Sequence, residues 1–236
     1  MRTKTLSALP FLLIGFLFLV LFGIITWGVS FDSSWVTAFD IAWIDRIQAF
    51  VSEGTTPFIM KATEIGNIRL IILLTVISVI VLFIKRKYAE GLWLGGTMLL
   101  CGAISVKILK SVIDRDRPEI LQLITKTNGS FPSGHSVGTT IFFGLIALVA
   151  VLASIKVWKK WVISLLSLAL IFFVFATRIY LGVHYPTDVI GSFFFGMASL
   201  WISVGTYIIV REPLRELLKK MNLHDQSTAF IRERNH

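Results

Sequence analysis

Three short polar strings carry the residue types from which an active centre can be built. Lys110 stands seven positions before Arg117-Pro118, Pro132-Ser133-Gly134-His135 follows, and Thr177-Arg178 is followed by His184 and then, four residues on, Asp188. Lysine and arginine clamp phosphate oxygens, and a Ser-Gly turn offers a hydroxyl together with backbone donors. Two histidines and a carboxylate supply a nucleophile, a proton carrier and a group to orient them. This is the inventory of a phosphoryl-transfer site that needs no metal and no other cofactor.

Each residue has a plainer explanation when taken alone. Seven residues is two helical turns, so Lys110 and Arg117 share a face if their helix persists, and Pro118 then helps to end it. Alone, Lys110 reads as a lysine snorkelling from a membrane helix, as Lys107 does one turn earlier, and Arg117 as a partner for Asp114 or Asp116. Pro132-Ser133-Gly134-His135 immediately precedes an apolar stretch, so its amides fall at a helix start, where N–H groups lack intrahelical acceptors and the dipole favours an anion. A lone serine there is more often only an N-cap. Gly134 lets the backbone approach a phosphate oxygen, and His135 faces the same spot. Pro186 suits the first turn of the next helix and puts Asp188 in that turn, a favourable place for a carboxylate even without a function. If the turn keeps them adjacent, Asp188 also accepts a hydrogen bond from the His184 imidazole, fixing its tautomer and leaving the other ring nitrogen to attack phosphorus. His135, His184 and Asp188 are also zinc-ligand types, but the surplus of Lys110, Arg117 and Arg178 opposes a divalent cation and already neutralises phosphate.

The elements that must position these strings are membrane helices. The 236-residue chain is 55% hydrophobic with a mean hydropathy of +0.79, too apolar for a water-soluble domain. Apolar runs cover 6–29, 70–84, 91–112, 136–157, 161–176 and 189–210, each near the length of about 20 residues that a spanning helix needs, the second only if 65–69 extend it. The expected fold is all-α: one polytopic domain over 1–236, a bundle of six transmembrane helices, with short extracytoplasmic helices over 31–66 and a cytoplasmic tail over 211–236. The first run follows Met1-Arg2-Thr3-Lys4, is longer than a signal-peptide core and lacks a good cleavage site at Thr26 to Ser30, so an uncleaved anchor is expected.

Charge sets the orientation. Lys85-Arg86-Lys87, then Lys156, Lys159 and Lys160, and the tail with Arg211, Arg215, Lys219 and Lys220 all fall on the side of the N-terminus, which is therefore cytoplasmic, as is the C-terminus. In this arrangement of a multi-pass protein of the cell membrane, the three strings meet at the outer membrane–water interface. Lys110, Arg115, Arg117, Lys126 and Arg178 are basic residues on the translocated side, better explained by anion binding than by topology. The net charge of +9 has no accompanying nucleic-acid motif; the partners are the bilayer and anionic lipid headgroups, with no nucleic acid and no protein partner implied.

Within 31–66, Phe39, Trp43, Ile47 and Phe50 or Val51 recur at helical spacing opposite Asp40, Asp45, Arg46 and Gln48, which predicts an amphipathic interfacial helix with Trp35 and Trp43 near the headgroups, either a lid or a structural cap. Gly54-Thr55-Thr56-Pro57 splits the segment into two helices. In the tail, Leu214, Leu217 and Leu218 predict a short surface helix and then a frayed end bearing His224 and His236, without chemistry. Cys101, alone in an apolar run, is a small core residue.

Taken together the strings resemble the signature of the type 2 phosphatidic-acid phosphatases: Lys-x6-Arg-Pro, Pro-Ser-Gly-His and Ser-Arg-x5-His-x3-Asp. Lys110, Arg117, Pro118, Pro132, Ser133, Gly134, His135, Arg178, His184 and Asp188 match with internal spacing kept, on the order of one chance match in ten million chains. Thr177 stands where the pattern has Ser and keeps the hydroxyl. The resemblance selects Lys110 over Lys107 and Arg117 over Arg115. It implies that His184 is the nucleophile and forms a phosphohistidine, that His135 is the general acid and base, and that Asp188 orients His184. Lys110, Arg117, Ser133, Gly134 and Arg178 then hold the phosphoryl group, with Pro118, Pro132 and Thr177 as supporting motif positions. A small bundle of this kind is most similar to the bacterial phosphatidylglycerophosphatase B group. The implied substrates are phospholipid or polyprenyl pyrophosphate: phosphatidylglycerol phosphate, phosphatidate, diacylglycerol pyrophosphate or undecaprenyl pyrophosphate. Soluble haloperoxidases and acid phosphatases share the site but not six spans. The alternative is a non-catalytic protein that binds or transports anionic lipid on the same scaffold, against which the intact His135 and His184 speak.

Overall fold

The computed structural model describes residues 7–125, 127–153 and 156–227; Met1 to Lys4, Lys126 and His236 lie outside them. Among the described residues the secondary structure is helical throughout, and six helical stretches are long and apolar enough to cross a membrane: Leu9–Ser30, Thr56–Ile84, Tyr88–Ile113, Gly134–Leu152, Val157–Tyr180 and Pro186–Lys220. The first rises about 33 Å at the helical pitch, against a hydrocarbon core of about 30 Å. Leu13, Phe16, Leu17, Ile72, Leu73 and Leu165 all point outward, an arrangement that only a lipid surround makes favourable. The chain is a multi-pass membrane protein.

In chain order the helices are α1 (Leu9–Ser30), α2 (Ser34–Gln48), α3 (Thr56–Ala62), α4 (Ile68–Ile84), α5 (Tyr88–Thr97), α6 (Ser105–Ile113), α7 (Gly134–Ala153), α8 (Val157–Tyr180) and α9 (Pro186–Lys220). A 3₁₀ turn, Thr63–Gly66, joins α3 to α4, and a π-helical stretch, Met98–Ile104, joins α5 to α6, so each pair makes one span. The second span therefore starts at Thr56, which brings the second apolar run to full length and leaves only 31–55 as a connecting segment.

The long α9 is the axis: α1 lies along one side of it and α7 along another, with α8 on the far side of α7. A Cβ at Gly15 would stand 2.6 Å from Ile202, which is why α1 can approach α9 so closely. Ile71, Val137, Ile141, Leu145, Leu200 and Val204 form the main core between α4, α7 and α9. At one end of the bundle lie the start of α1, the α4–α5 turn, the start of α8 and the end of α9; at the other lie α2 and, around the α6–α7 loop and the α8–α9 turn, the three strings.

Three expectations fail here. The residues from Arg211 are not a separate surface helix, because α9 runs unbroken to Lys220 with Pro213 inside it. Nor is 221–227 frayed: Asp225 accepts the Ala89 amide at 3.1 Å, Ser227 the Glu90 amide at 3.2 Å, and the Gln226 amide donates to the Arg86 carbonyl at 2.7 Å. These side chains satisfy first-turn amides of α5, the usual work of a helix cap. The predicted split of 31–66 into two helices is observed, but the buried stripe of α2 is Val36, Asp40 and Ile44, not the Phe39 and Trp43 side. Asp40, expected to face water, is 1% exposed.

Candidate active site

Lys110 occupies the last turn of α6, which stops at Ile113 because Asp114 adopts the left-handed conformation at φ 42°. Lys110 and Arg117 therefore do not share a helix face, and Pro118 is not what ends the helix. They converge by another route. Lys110 Nζ donates to the carbonyls of Gly129 and, at 3.3 Å, Ser130. Arg117 donates from Nε to Asn128 O at 2.8 Å and from Nη2 to Asn128 Oδ1 at 2.8 Å and Gly129 O at 3.4 Å. Its Nη1 donates to the carbonyl of Val183, beside His184. Every one of these acceptors is neutral, so the local Asp114 and Asp116 do not take Arg117 as their partner.

Ser130 anchors the same loop, its amide on Arg115 O at 2.7 Å and its hydroxyl on Asp116 O at 2.8 Å. Two residues further on, Pro132 is buried and Ser133 is the N-cap of α7, its hydroxyl accepting the Ser136 amide at 3.4 Å and the Ser136 hydroxyl at 3.0 Å. The plainer role of Ser133 is thus present in the structure. Gly134 and His135, both half-buried, follow in the first turn, where the helix has no acceptors of its own for their amides. The start of α7 is bound to α9 through Ser192: the Ser133 amide donates to its hydroxyl at 2.7 Å, and that hydroxyl donates to Asp188 O at 2.6 Å.

The third string bridges α8 and α9. Gly182 turns the chain at φ +66°, and a Cβ there would meet the Leu121 carbonyl. Arg178, 3% exposed in the last turn of α8, donates from Nη1 to Thr63 Oγ1 at 3.0 Å; its buried Nε has no hydrogen-bond partner among the described residues. Thr177 donates to Val174 O at 2.6 Å and to Thr63 Oγ1 at 3.0 Å, so its hydroxyl supports the floor under Arg178. Asp188 sits at the third position of α9, 0% exposed, with Oδ2 accepting the Tyr185 amide at 2.9 Å and lying 3.4 Å from His184 Nδ1. That last distance is long for a hydrogen bond. Burial drives the His184 pKa down to about 3; Asp188 pulls against it, and Arg178 and Arg117 reinforce it. The imidazole is therefore neutral at ordinary pH, with Nε2 as the nitrogen not engaged by Asp188.

Asp40 and Thr63 were not read from the sequence as site residues, and Arg115, grouped there with the anion-binding cations, is instead paired with protein carboxylates. Arg115 forks between two carboxylates, Asp188 Oδ1 at 2.6 Å and Asp40 Oδ2 at 2.7 Å, and lies 4.0 Å over the Tyr185 ring. Burial lowers its pKa and the two carboxylates more than reverse the effect. Asp40 in turn holds the Thr187 amide at 2.8 Å and hydroxyl at 2.8 Å. One signal for Asp40 was available: it lies four residues from both Val36 and Ile44, on an apolar stripe where a carboxylate implies a buried partner.

The cations divide into two sets. Arg115 is neutralised by its carboxylates. Lys110, Arg117 and Arg178 face neutral groups, and burial lowers the pKa of Arg117. Arg178 is buried and Arg117 half-buried, and a guanidinium removed from water with neutral hydrogen-bond partners alone is costly unless an anion joins it. Such a cluster beside a neutral imidazole held by a carboxylate can bind a phosphoryl group and attack it.

Comparison with known proteins gives the same chemistry a context. The PAP2 superfamily profile matches residues 90–210. Phosphatidylglycerophosphatase B of Bacillus subtilis is 33% identical over 147 residues, covering 61% of this chain and 70% of that protein. Lipid A 1-phosphatase of Rhizobium etli is 29% identical over 140 residues, covering 52% of this chain and 55% of that protein. The crystal structure of a transmembrane PAP2 type phosphatidylglycerolphosphate phosphatase from Bacillus subtilis matches with a TM-score of 0.71 at 26% identity, covering 82% of this chain and 95% of that one. Aquifex aeolicus LpxE matches with a TM-score of 0.53 at 25% identity, over 70% of this chain and 94% of that one.

Proposed function

Since this chain belongs to the PAP2 superfamily of membrane lipid phosphatases, we propose that it hydrolyses phosphomonoester or pyrophosphate lipids through a phosphohistidine at His184. Neutral His184 Nε2 attacks phosphorus in line; the bond from phosphorus to the lipid oxygen breaks, and His135 gives its proton to that oxygen. Water then attacks the phosphohistidine and passes a proton to His135, releasing inorganic phosphate and restoring both imidazoles. Lys110, Arg117, Arg178 and the first-turn amides at Gly134 and His135 hold the phosphoryl oxygens and stabilise the transition-state charge, while Asp188 stabilises the imidazolium. Ser133 contributes by capping α7 and so aiming those amides.

The observation that carries this reading is the buried Nε of Arg178, without a hydrogen-bond partner among the described residues, in a cluster of cations bonded to neutral groups near His184 and Asp188. The substrate class follows from the setting at the end of a membrane bundle. Phosphatidylglycerol phosphate is the first candidate, because a relative named phosphatidylglycerophosphatase covers most of its own length here; undecaprenyl pyrophosphate is the second.

Purified protein given phosphatidylglycerol phosphate, undecaprenyl pyrophosphate, phosphatidate and lipid A 1-phosphate should release phosphate from at least one of the first two, keep its activity in EDTA and lose it to orthovanadate, which imitates five-coordinate phosphorus. Loss on chelation restored by zinc or magnesium refutes the mechanism. Binding of these lipids without phosphate release refutes the enzyme and leaves a lipid-binding protein.

A further inference from the structure

Asp188 has more to do than its two local partners require. Its Oδ2 serves His184 and the Tyr185 amide, and its Oδ1 is taken by Arg115 at 2.6 Å. Arg115 is the only arginine of the Asp-Arg-Asp-Arg run to make carboxylate contacts among the described residues; Arg117 turns to carbonyls instead. The other edge of the Arg115 guanidinium is bound by Asp40, which comes from α2, an element that contributes none of the three strings.

From this we infer that Asp40 and Arg115 are positioning residues for catalysis, forming with Asp188 and His184 a chain that aims the nucleophile and keeps its supporting carboxylate negative. The inference rests on the reading of His184 as the attacking group. The geometry makes both roles necessary. Asp188 holds His184 across 3.4 Å, so a small rotation of its carboxylate would lose the imidazole; Arg115 on Oδ1 and the Tyr185 amide on Oδ2 remove that rotation. A lone guanidinium at 2.6 Å would, however, cancel the charge that Asp188 must offer to the imidazolium formed on phosphorylation. Asp40 supplies a second carboxylate to the same guanidinium, so the three groups together keep one negative charge beside His184. Asp40 also binds the amide and hydroxyl of Thr187, the neighbour of Asp188, which fixes the start of α9. Helix α2 is thus part of the catalytic support rather than a lid, and a further tie agrees: Gln48 Nε2, at its end, donates to Ile179 O at 3.3 Å.

The test uses the full-length protein in mixed micelles with whichever lipid phosphate it hydrolyses, comparing wild type with Asp40→Ala, Asp40→Asn, Arg115→Ala, the double Ala variant and His184→Ala. Each single change at Asp40 or Arg115 should lower kcat by roughly 10- to 100-fold, the scale of an ångström-size misplacement, with KM within about two-fold. The double variant should lose no more than the worse single one, because both act through Asp188. Methylguanidinium in the buffer should recover part of the activity of Arg115→Ala, a rescue that a merely structural role would not show. Asp40→Asn, which keeps the shape, carries the test if the alanine variants do not accumulate. Wild-type kcat in Asp40→Asn, losses confined to KM, or additive losses in the double variant would each overturn the inference. If His184→Ala retains turnover, the underlying nucleophile assignment fails instead, whatever the Asp40 and Arg115 variants do.

Discussion

His135 and His184 stand at the starts of different helices and are assigned halves of one reaction, so their removal should differ in kind. On the proposed mechanism His184→Ala deletes the attacking nitrogen, so no phosphoenzyme should form and turnover should vanish, while lipid binding by Lys110, Arg117 and Arg178 should survive. His135→Ala keeps the nucleophile and loses the proton donor, a deficit of about 10²- to 10⁴-fold on alkyl phosphates. It should lose less on pyrophosphate lipids, whose phosphate leaving group departs with less protonation. Rates for wild type and both variants plotted against leaving-group acidity measure this. A uniform loss in His135→Ala across leaving groups removes it as general acid, and full activity in His184→Ala removes the covalent intermediate.

The α8–α9 turn delivers His184, and Gly182 is the hinge of that delivery. Gly182→Ala forces an L side chain into the left-handed region, a cost of about 1–2 kcal/mol, and pushes a methyl into the Leu121 carbonyl as well. The expected result is a Tm lowered by several degrees together with reduced kcat, read by thermal unfolding and phosphate release on the same preparation. Unchanged values would mean that the loop around Leu121 yields freely. The apolar runs made the spanning helices legible, since about 20 residues without charge have few other uses. The residue types and order of the strings picked out His184, Asp188, Lys110, Arg117 and Arg178, which the structure brings close enough to act on one another's charge. Periodicity misjudged α2 because it assumes that a charged side chain faces water; Asp40 faces inward because Arg115, from a distant loop, neutralises it there. The stop of α6 had no marker, because a left-handed Asp114 is a choice made by the loop that follows. Thr63 could not be seen at all, since its value lies in standing under Arg178, 115 residues away.

At the scale of the whole molecule, we propose from the positive-inside pattern that the strings lie on the outer face. In a Cys101→Ser background, a single cysteine at the exposed Thr127 should react with a membrane-impermeant thiol reagent in intact cells, and one at the exposed Lys159 should react only after the cells are opened. Reversed labelling would invert the orientation. Thr187, although it lies in the third string, is no position for such a label, because it is 0% exposed and bonded to Asp40. The guanidinium of Arg178 has one further implication. A buried cation with an N–H unmatched among the described residues weakens the folded state that carries it, and a bound anion would supply both the acceptor and the opposite charge. Selection for turnover and selection for robustness therefore pull this bundle in opposite directions. On the proposed reading of Arg178 as a phosphate ligand, an apolar side chain at that position should raise the unfolding temperature and weaken the binding of phosphate lipids.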